Sequence, residues 1–370
     1  MAYTIESLPL RALLPAIGKA EDQLARLDEQ VQRSPVGKGF VERGHFFDAA
    51  ASMWVGGELV HVEDLVLHDE RMDARAPTHE LTIAHRILRV RRRISGAKPG
   101  WAVSDAGIGT LTGYDEQERE AVEWEGSARV DAPADLDLFV EDDPLAQELA
   151  NVDALLAQSQ RLIDRVCDRK GAGRSALVVG DLVVRDTDWD EEDRLTQWKR
   201  VLQEVADLPP TLAAALIWEA WESLEPMQRQ HWLGSQFVSA YLRARGKVAS
   251  HLFGFNVGMK SVPRERRRSP NRLTRILAFL DAMSASAESG MKEISRLAQA
   301  HEQMTRRLNG RRSSSSLPTA IELVLSRPIV SAPMIAKAAK ITQRGALNLI
   351  AELGVREVTG RGRYRAWGYL

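Results

Sequence analysis

The apolar residues of this chain recur mostly at steps of three and four, the period of one helix face, and seldom alternate as a strand would. Residues 5–32 show it first, with Leu24, Leu27 and Val31 on one stripe. A loop at 34–39 follows, then a helix ending at the Gly56-Gly57 turn, a short helix through 63–67 and a longer one over 78–94. Arg89 and Arg91 to Arg93 crowd the end of the last, where cations suit the helix dipole. The spacing is then lost: glycine, aspartate and glutamate dominate, which predicts an acidic, irregular excursion. Helix resumes over 144–170, and ALVVGDLVVRD at 176–186 predicts a small β-hairpin about Gly180-Asp181. Helices over 191–206, 211–224 and 230–245 carry Trp198, Trp218, Trp221 and Trp232, enough apolar area for the main core. From 271 to 308 the pattern fits one long helix, or two broken at Ser289-Gly290. Its seam suits pairing with another chain as well as packing on its own domain.

NGRRSSSSLP, 309–318, is a polar, flexible linker. Beyond it the pattern names a task. A helix over 319–326 opens a terminal domain. Ser331 can cap a second helix whose first turn holds Pro333, where a missing backbone donor costs nothing. Lys340-Ile341 make a tight turn, with Lys340 where such turns favour glycine, a misfit of about 1 kcal/mol. Thr342 can cap a third helix, in which Ala346, Leu349, Ile350 and Leu353 recur until Gly354 stops it. Its outward face carries Gln343, Arg344, Leu347 and Asn348. Such side chains reach base edges in a major groove: Arg pairs guanine, Gln or Asn pairs adenine, Leu touches the thymine methyl. A hairpin with Arg356, Arg361, Arg363 and Arg365 would stand beside it as the wing of a winged helix-turn-helix, and with Lys337 these are phosphate candidates. The fold expected is therefore mainly α: a helical body with a small β-hairpin, plus a C-terminal winged helix-turn-helix. Its parts are an N-terminal helical region, 1–97; the excursion, 98–143; the helical core and long helix, 144–308; the linker, 309–318; and the terminal domain, 319–370.

Charge sharpens this. The net charge of −1 hides a division: residues 260–370 hold 21 Lys and Arg against 8 Asp and Glu, so the preceding part is acidic by 14. A basic end on an acidic body points to double-stranded DNA as partner. Arg264, Arg266, Arg267 and Arg268 read as solvated charge with DNA-backbone contact as an accessory role. No run approaches a membrane span and the N-terminus lacks leader features, so a cytoplasmic protein is expected. Cys167 is the one cysteine, which excludes an intrachain disulfide or a cysteine-based zinc site. His61, His68 and His79 are too scattered for a metal, His85 sits between Ile83 and Ile87, and no metal or cofactor is expected. The glycines from Gly107 to Gly113 lack the lysine of a phosphate loop.

Two resemblances complete the reading. VREVTGRGRYRAWGYL, with LPTAIELVLSRPIVSAPMIAKAAK before it, resembles the helix-turn-helix module of a plasmid-borne family in rhizobia whose upstream domain has no established function. The middle, WKRVLQEVADLPPTLAAALIWEAWESLEPMQRQHWLGSQFVSAYLRARG, is similar to the Fic family of nucleotidyl transferases, and AAASMWVGGELVHVEDLVLHD to the segment carrying its inhibitory helix. The Fic active loop has a histidine, proline, an aromatic, an acid, then Gly-Asn-Gly and arginine. Here Glu225 stands for the histidine before Pro226, Arg229 for the acid, His231 follows, and Gly234 comes late. A general base titrating near neutrality, a metal-holding acid and the phosphate-crowding glycines are thus missing. Glu225 with His231 could make an acid and base pair, but nothing accompanies them. The expectation is a DNA-binding regulator, not an enzyme, whose disarmed body serves homodimerisation or a protein partner. Its competitors are a Fic-type transferase of AMP or another nucleotide moiety to protein hydroxyls, and a protein-docking module without DNA.

Overall fold

The computed structural model describes residues 8–73, 76–113, 189–306, 316–359 and 365–369. Contacts group 1–119 with 190–370 as one unit and 120–189 as another, and the elements below belong to the first. The helix over 144–170, the hairpin at 176–186, Cys167, Arg361 and Arg363 lie outside the described residues.

The first helix, α1 (Leu10–Arg33), buries Leu13, Ile17, Ala20, Leu24, Leu27 and Val31, the stripe its sequence displays. The following loop is shorter than expected, because α2 (Gly37–Gly56) already begins at Gly37. A Cβ there would lie 2.3 Å from the Val31 carbonyl oxygen, so only glycine lets the chain turn so soon. α3 (Val62–Asp69) and α4 (His79–Gly96) follow, the latter capped by the Thr78 hydroxyl, which accepts from the Leu81 N–H at 3.2 Å. Helix order continues past the boundary expected at residue 97. A 3₁₀ turn (Trp101–Val103) leads into α5 (Asp105–Thr112), which buries Ile108 and Leu111. Gly107 belongs to that helix and packs on the Trp101 carbonyl, where a side chain would collide.

The centre of the body is α7 (Pro210–Leu224), buried nearly throughout and wrapped by α6 (Glu191–Glu204), α8 (Leu233–Ala244), α1 and α11 (Arg272–Arg306). Trp198 and Trp221, both fully buried, meet edge to face at 5.0 Å. Two short helices, α9 (Phe255–Met259) and α10 (Arg264–Arg267), connect α8 to α11. α11 runs 35 residues unbroken through Ser289-Gly290. Gly290 is there for contact and not for a break: a Cβ would sit 2.9 Å from Leu27 Cδ2 of α1. The seam is covered from within, with Ile276, Leu280, Met283, Ala287, Ile294 and Met304 buried and α1 packed along it. That resolves the open choice in favour of packing on its own domain, and the seam is not free for a second chain.

Arg91 departs from its expected place at a solvated helix end. It sits on the buried stripe of α4, and its Nη1 donates to Asp48 Oδ2 of α2 at 2.5 Å and to Gln236 Oε1 at 2.8 Å. Neither side chain of the ion pair is exposed. Asp48 also accepts from the Asn256 N–H at 2.8 Å, so the pair ties α2, α4, α8 and α9 together. Buried charge survives only when matched in this way.

Candidate nucleic-acid interface

The C-terminal residues form α12 (Leu317–Ser326), β1 (Val330–Ser331), α13 (Ala332–Ala339), α14 (Gln343–Leu353), β2 (Arg356–Glu357) and β3 (Ala366–Gly368). The three strands pair antiparallel in the order β1-β3-β2, with Trp367 of the middle strand opposite Val330 and Glu357. Local chemistry sets each helix. The Ser331 hydroxyl accepts from the Met334 N–H at 3.4 Å, and the Thr342 hydroxyl from the Gly345 N–H at 3.2 Å. Lys340 takes the left-handed conformation between the helices, φ 53° and ψ 46°, and Gly354 takes it again at the end of α14.

α14 is two-sided. Ala346, Ile350 and Leu353 are buried against the rest of the domain. Gln343, Arg344, Leu347 and Asn348 are exposed together on the other face, Leu347 by 43%, a large apolar side chain left in water. The cations around it are not equivalent. Lys337 and Arg356 are exposed, Lys337 with its Nζ 4.0 Å from Glu70. Arg365 instead binds Glu357 across the strand pair, at 2.5 and 3.0 Å, and its guanidinium lies 5.2 Å from the Trp367 ring. That hydrogen bond holds the Glu357 carboxyl below its ordinary range. Arg365 therefore braces β2 and β3.

The domain is seated on the body, which the linker reading did not foresee. α12 packs on α2, and Leu317 and Pro318, assigned to the linker, already belong to α12. Gly39 permits the approach, since a Cβ there would be 3.0 Å from the Leu325 carbonyl. Arg43, fully buried, donates to the carbonyls of Arg327 at 2.5 Å and Tyr369 at 3.1 Å and to Glu293 at 3.1 Å. Arg296 grips Glu293 and the Tyr369 carbonyl as well, at 2.7 and 3.1 Å, and Arg327 pairs with Glu42 at 2.9 Å. Burial pulls the Arg43 guanidinium down to about 10, and Glu293 opposes that, so it stays charged at neutral pH. The one signal in the sequence was position: Arg43 lies three residues from Phe40 and from Phe46 on a buried stripe.

The loop after α7 is organised structurally. Glu225 closes α7 with φ 44° and points into solvent, while Pro226 is buried. Gly234 lets α8 settle on Trp221, whose ring a Cβ would meet at 2.3 Å. His231 Nε2 is 2.7 Å from Glu222 Oε1, so the carboxylate partner is Glu222 and not the Glu225 of the sequence reading. The Glu222 hydrogen bond raises the His231 pKa against the opposing effect of burial. Arg229 is exposed at the rim. Of the basic run 264–268, Arg267 is not solvated: it is 9% exposed, donates to the Val262 carbonyl at 3.0 Å and lies over Trp54, while Arg266 pairs with Asp281 at 2.7 Å. No helix among the described residues is long and apolar enough to cross a membrane.

Two regions match known families. Residues 317–370 match an HTH DNA binding domain, and residues 183–309 match a protein family of unknown function, DUF1612. Over its whole length the chain is similar to the "Uncharacterized protein y4cF" of Sinorhizobium fredii (strain NBRC 101917 / NGR234), 44% identical across all of both chains.

Proposed function

Because this chain belongs to the family of the rhizobial y4cF protein and ends in a helix-turn-helix domain, we propose that it is a sequence-specific DNA-binding protein, a transcriptional regulator working in the cytoplasm. One observation carries the reading: the polar face of α14 stands open while the body holds the domain from another side through Arg43. With α14 in a major groove, Arg344 reads guanine, Gln343 and Asn348 read adenine, and Leu347 meets a thymine methyl. β2 and β3 act as the wing. Lys337, Arg356 and the Arg361 and Arg363 that the sequence sets between those strands meet phosphates.

The body, on this reading, is a non-catalytic, Fic-like support. Glu225 occupies the place of a general base but caps a helix in solvent, and His231 is tied to Glu222. A single small head gives limited specificity and a dimer doubles the half-sites, so the active species is a homodimer formed through a surface other than the α11 seam. A footprint with genomic fragments at moderate salt yields the operator and its half-site spacing. On that operator Arg344→Ala costs about 1–3 kcal/mol and relaxes sequence choice, while Arg356→Ala weakens all sequences alike and lowers the salt slope by about one. Equal losses on operator and scrambled DNA for both variants would refute the assignment. Binding of ATP with magnesium, seen by calorimetry, would return the body to the transferase reading.

A further inference from the structure

A cavity of about 240 Å³ opens in the body between the C-terminal end of α2, the outer side of α7 and the segment joining α9 to α11. Its inner wall sets the apolar Met53, Trp218, Met259 and Phe279 beside the polar Ser52, Ser235 and Asn256, all nearly fully buried. The Trp218 ring is 3% exposed, lines the cavity, and its indole N–H meets no acceptor among the described residues. A buried donor in that state gains from any ligand oxygen placed before it.

The mouth has the opposite character. Arg229, Arg267 and Arg268 outnumber Glu58 and Glu222, and Glu222 is already engaged by His231. Arg267 is held in place by the Val262 carbonyl and by Trp54, so its charge is oriented before anything binds. The volume lies below the range of about 300–1,000 Å³ typical of drug-sized sites, which restricts the occupant to something small. A slot with aromatic rings and a few polar groups in its wall and guanidinium groups at its lip fits one chemistry.

We propose that this cavity binds a small organic carboxylate with a flat apolar body, its ring against Trp218 and Phe279 and its carboxylate at Arg267 and Arg268, as an effector of DNA binding. The route to the reading head is α2. The helix that walls the cavity with Ser52, Met53, Val55 and Gly56 presents Glu42 and Arg43 to the terminal domain at its other end. Some ten residues separate the two, about 15 Å along one helix locked midway by the Asp48–Arg91 pair. This second half rests on the DNA-binding reading; the site itself does not.

The full chain is titrated by calorimetry and thermal shift with benzoate and 3-phenylpropionate, with benzamide as the uncharged counterpart and with ATP and magnesium. The carboxylates bind and raise Tm; benzamide does not. Arg268→Gln weakens carboxylate binding about tenfold, and Trp218→Phe, which keeps a ring but removes the N–H, weakens it about fivefold without lowering the Tm of the unliganded chain. No binding by either carboxylate, wild-type binding by both variants, or binding of the nucleotide alone overturns the site. Footprints are then repeated across a carboxylate titration, which at saturation shifts operator affinity at least about fivefold in wild type, while Trp218→Phe needs about fivefold more carboxylate for the same shift. Unchanged affinity overturns the effector role. Absence of any DNA binding sinks the regulator reading instead, and leaves calorimetry to judge the cavity.

Discussion

Replacing Arg43 by methionine asks whether the terminal domain is fixed to the body or merely tethered to it. The buried guanidinium makes three hydrogen bonds, to the partly exposed Glu293 and to the Arg327 and Tyr369 carbonyls. Breaking a buried ionic contact by removing one partner costs about 3–5 kcal/mol, most of it from the partner left behind. Here the partners are not all abandoned, because Arg296 still holds Glu293 at 2.7 Å and the Tyr369 carbonyl at 3.1 Å. The Arg327 carbonyl loses its donor, a penalty of about 1–3 kcal/mol, while methionine keeps most of the apolar stem packed. The expected loss is therefore about 3 kcal/mol, concentrated at the junction of α2 with α12 and β3. Urea unfolding of the full chain measures the total, and amide hydrogen exchange locates it. In the wild type α12 and β3 open only with the body; in the variant they open first. A loss under about 1 kcal/mol with unchanged exchange in α12 and β3 would mean that apolar contact between α2 and α12 seats the head, and the role given to Arg43 would be wrong.

Lys340→Gly relieves a left-handed backbone at φ 53° in an exposed residue, so it raises stability by about 0.5–1 kcal/mol; a thermal melt showing no gain refutes the strain. Acid should weaken the fold through His251, which burial pushes from 6.5 to about 4. The unfolded chain takes up that proton first, so the contribution is complete above pH 6.5 and is lost as pH falls toward 4, about 3 kcal/mol in all. His231 has the opposite sign: raised by Glu222, it stabilises below pH 6.5 and loses that stabilisation as pH climbs through its folded value. The gap between urea midpoints at pH 7 and 4.5 should narrow in His251→Gln without closing, since buried His45 is also pushed down, and an unchanged gap would refute this.

The two helices of the helix-turn-helix were legible because each depends on neighbours within a turn or two of chain. Ser331, Thr342 and Gly354 are where capping chemistry puts them, and the spacing of Ala346, Ile350 and Leu353 leaves Gln343, Arg344, Leu347 and Asn348 outward. Glycines were the hardest to place where they serve packing. Gly290 left open whether the long helix breaks there and is a contact with Leu27; Gly107 looked like loop and lies in a helix against Trp101.

What the sequence by itself determined was the helical period, the caps, and the polarity of each face, all properties of residues a few positions apart. Which buried cation meets which carboxylate was decided only when distant segments came together. Arg91 finds Asp48 across 43 residues, and Arg43 finds Glu293 across 250 and the Tyr369 carbonyl across 326. Helix formation repeats one local hydrogen bond, so its signal is written in every turn. A buried charge is tolerable only beside a partner the whole fold supplies, and nothing in the neighbouring residues records where that partner will stand.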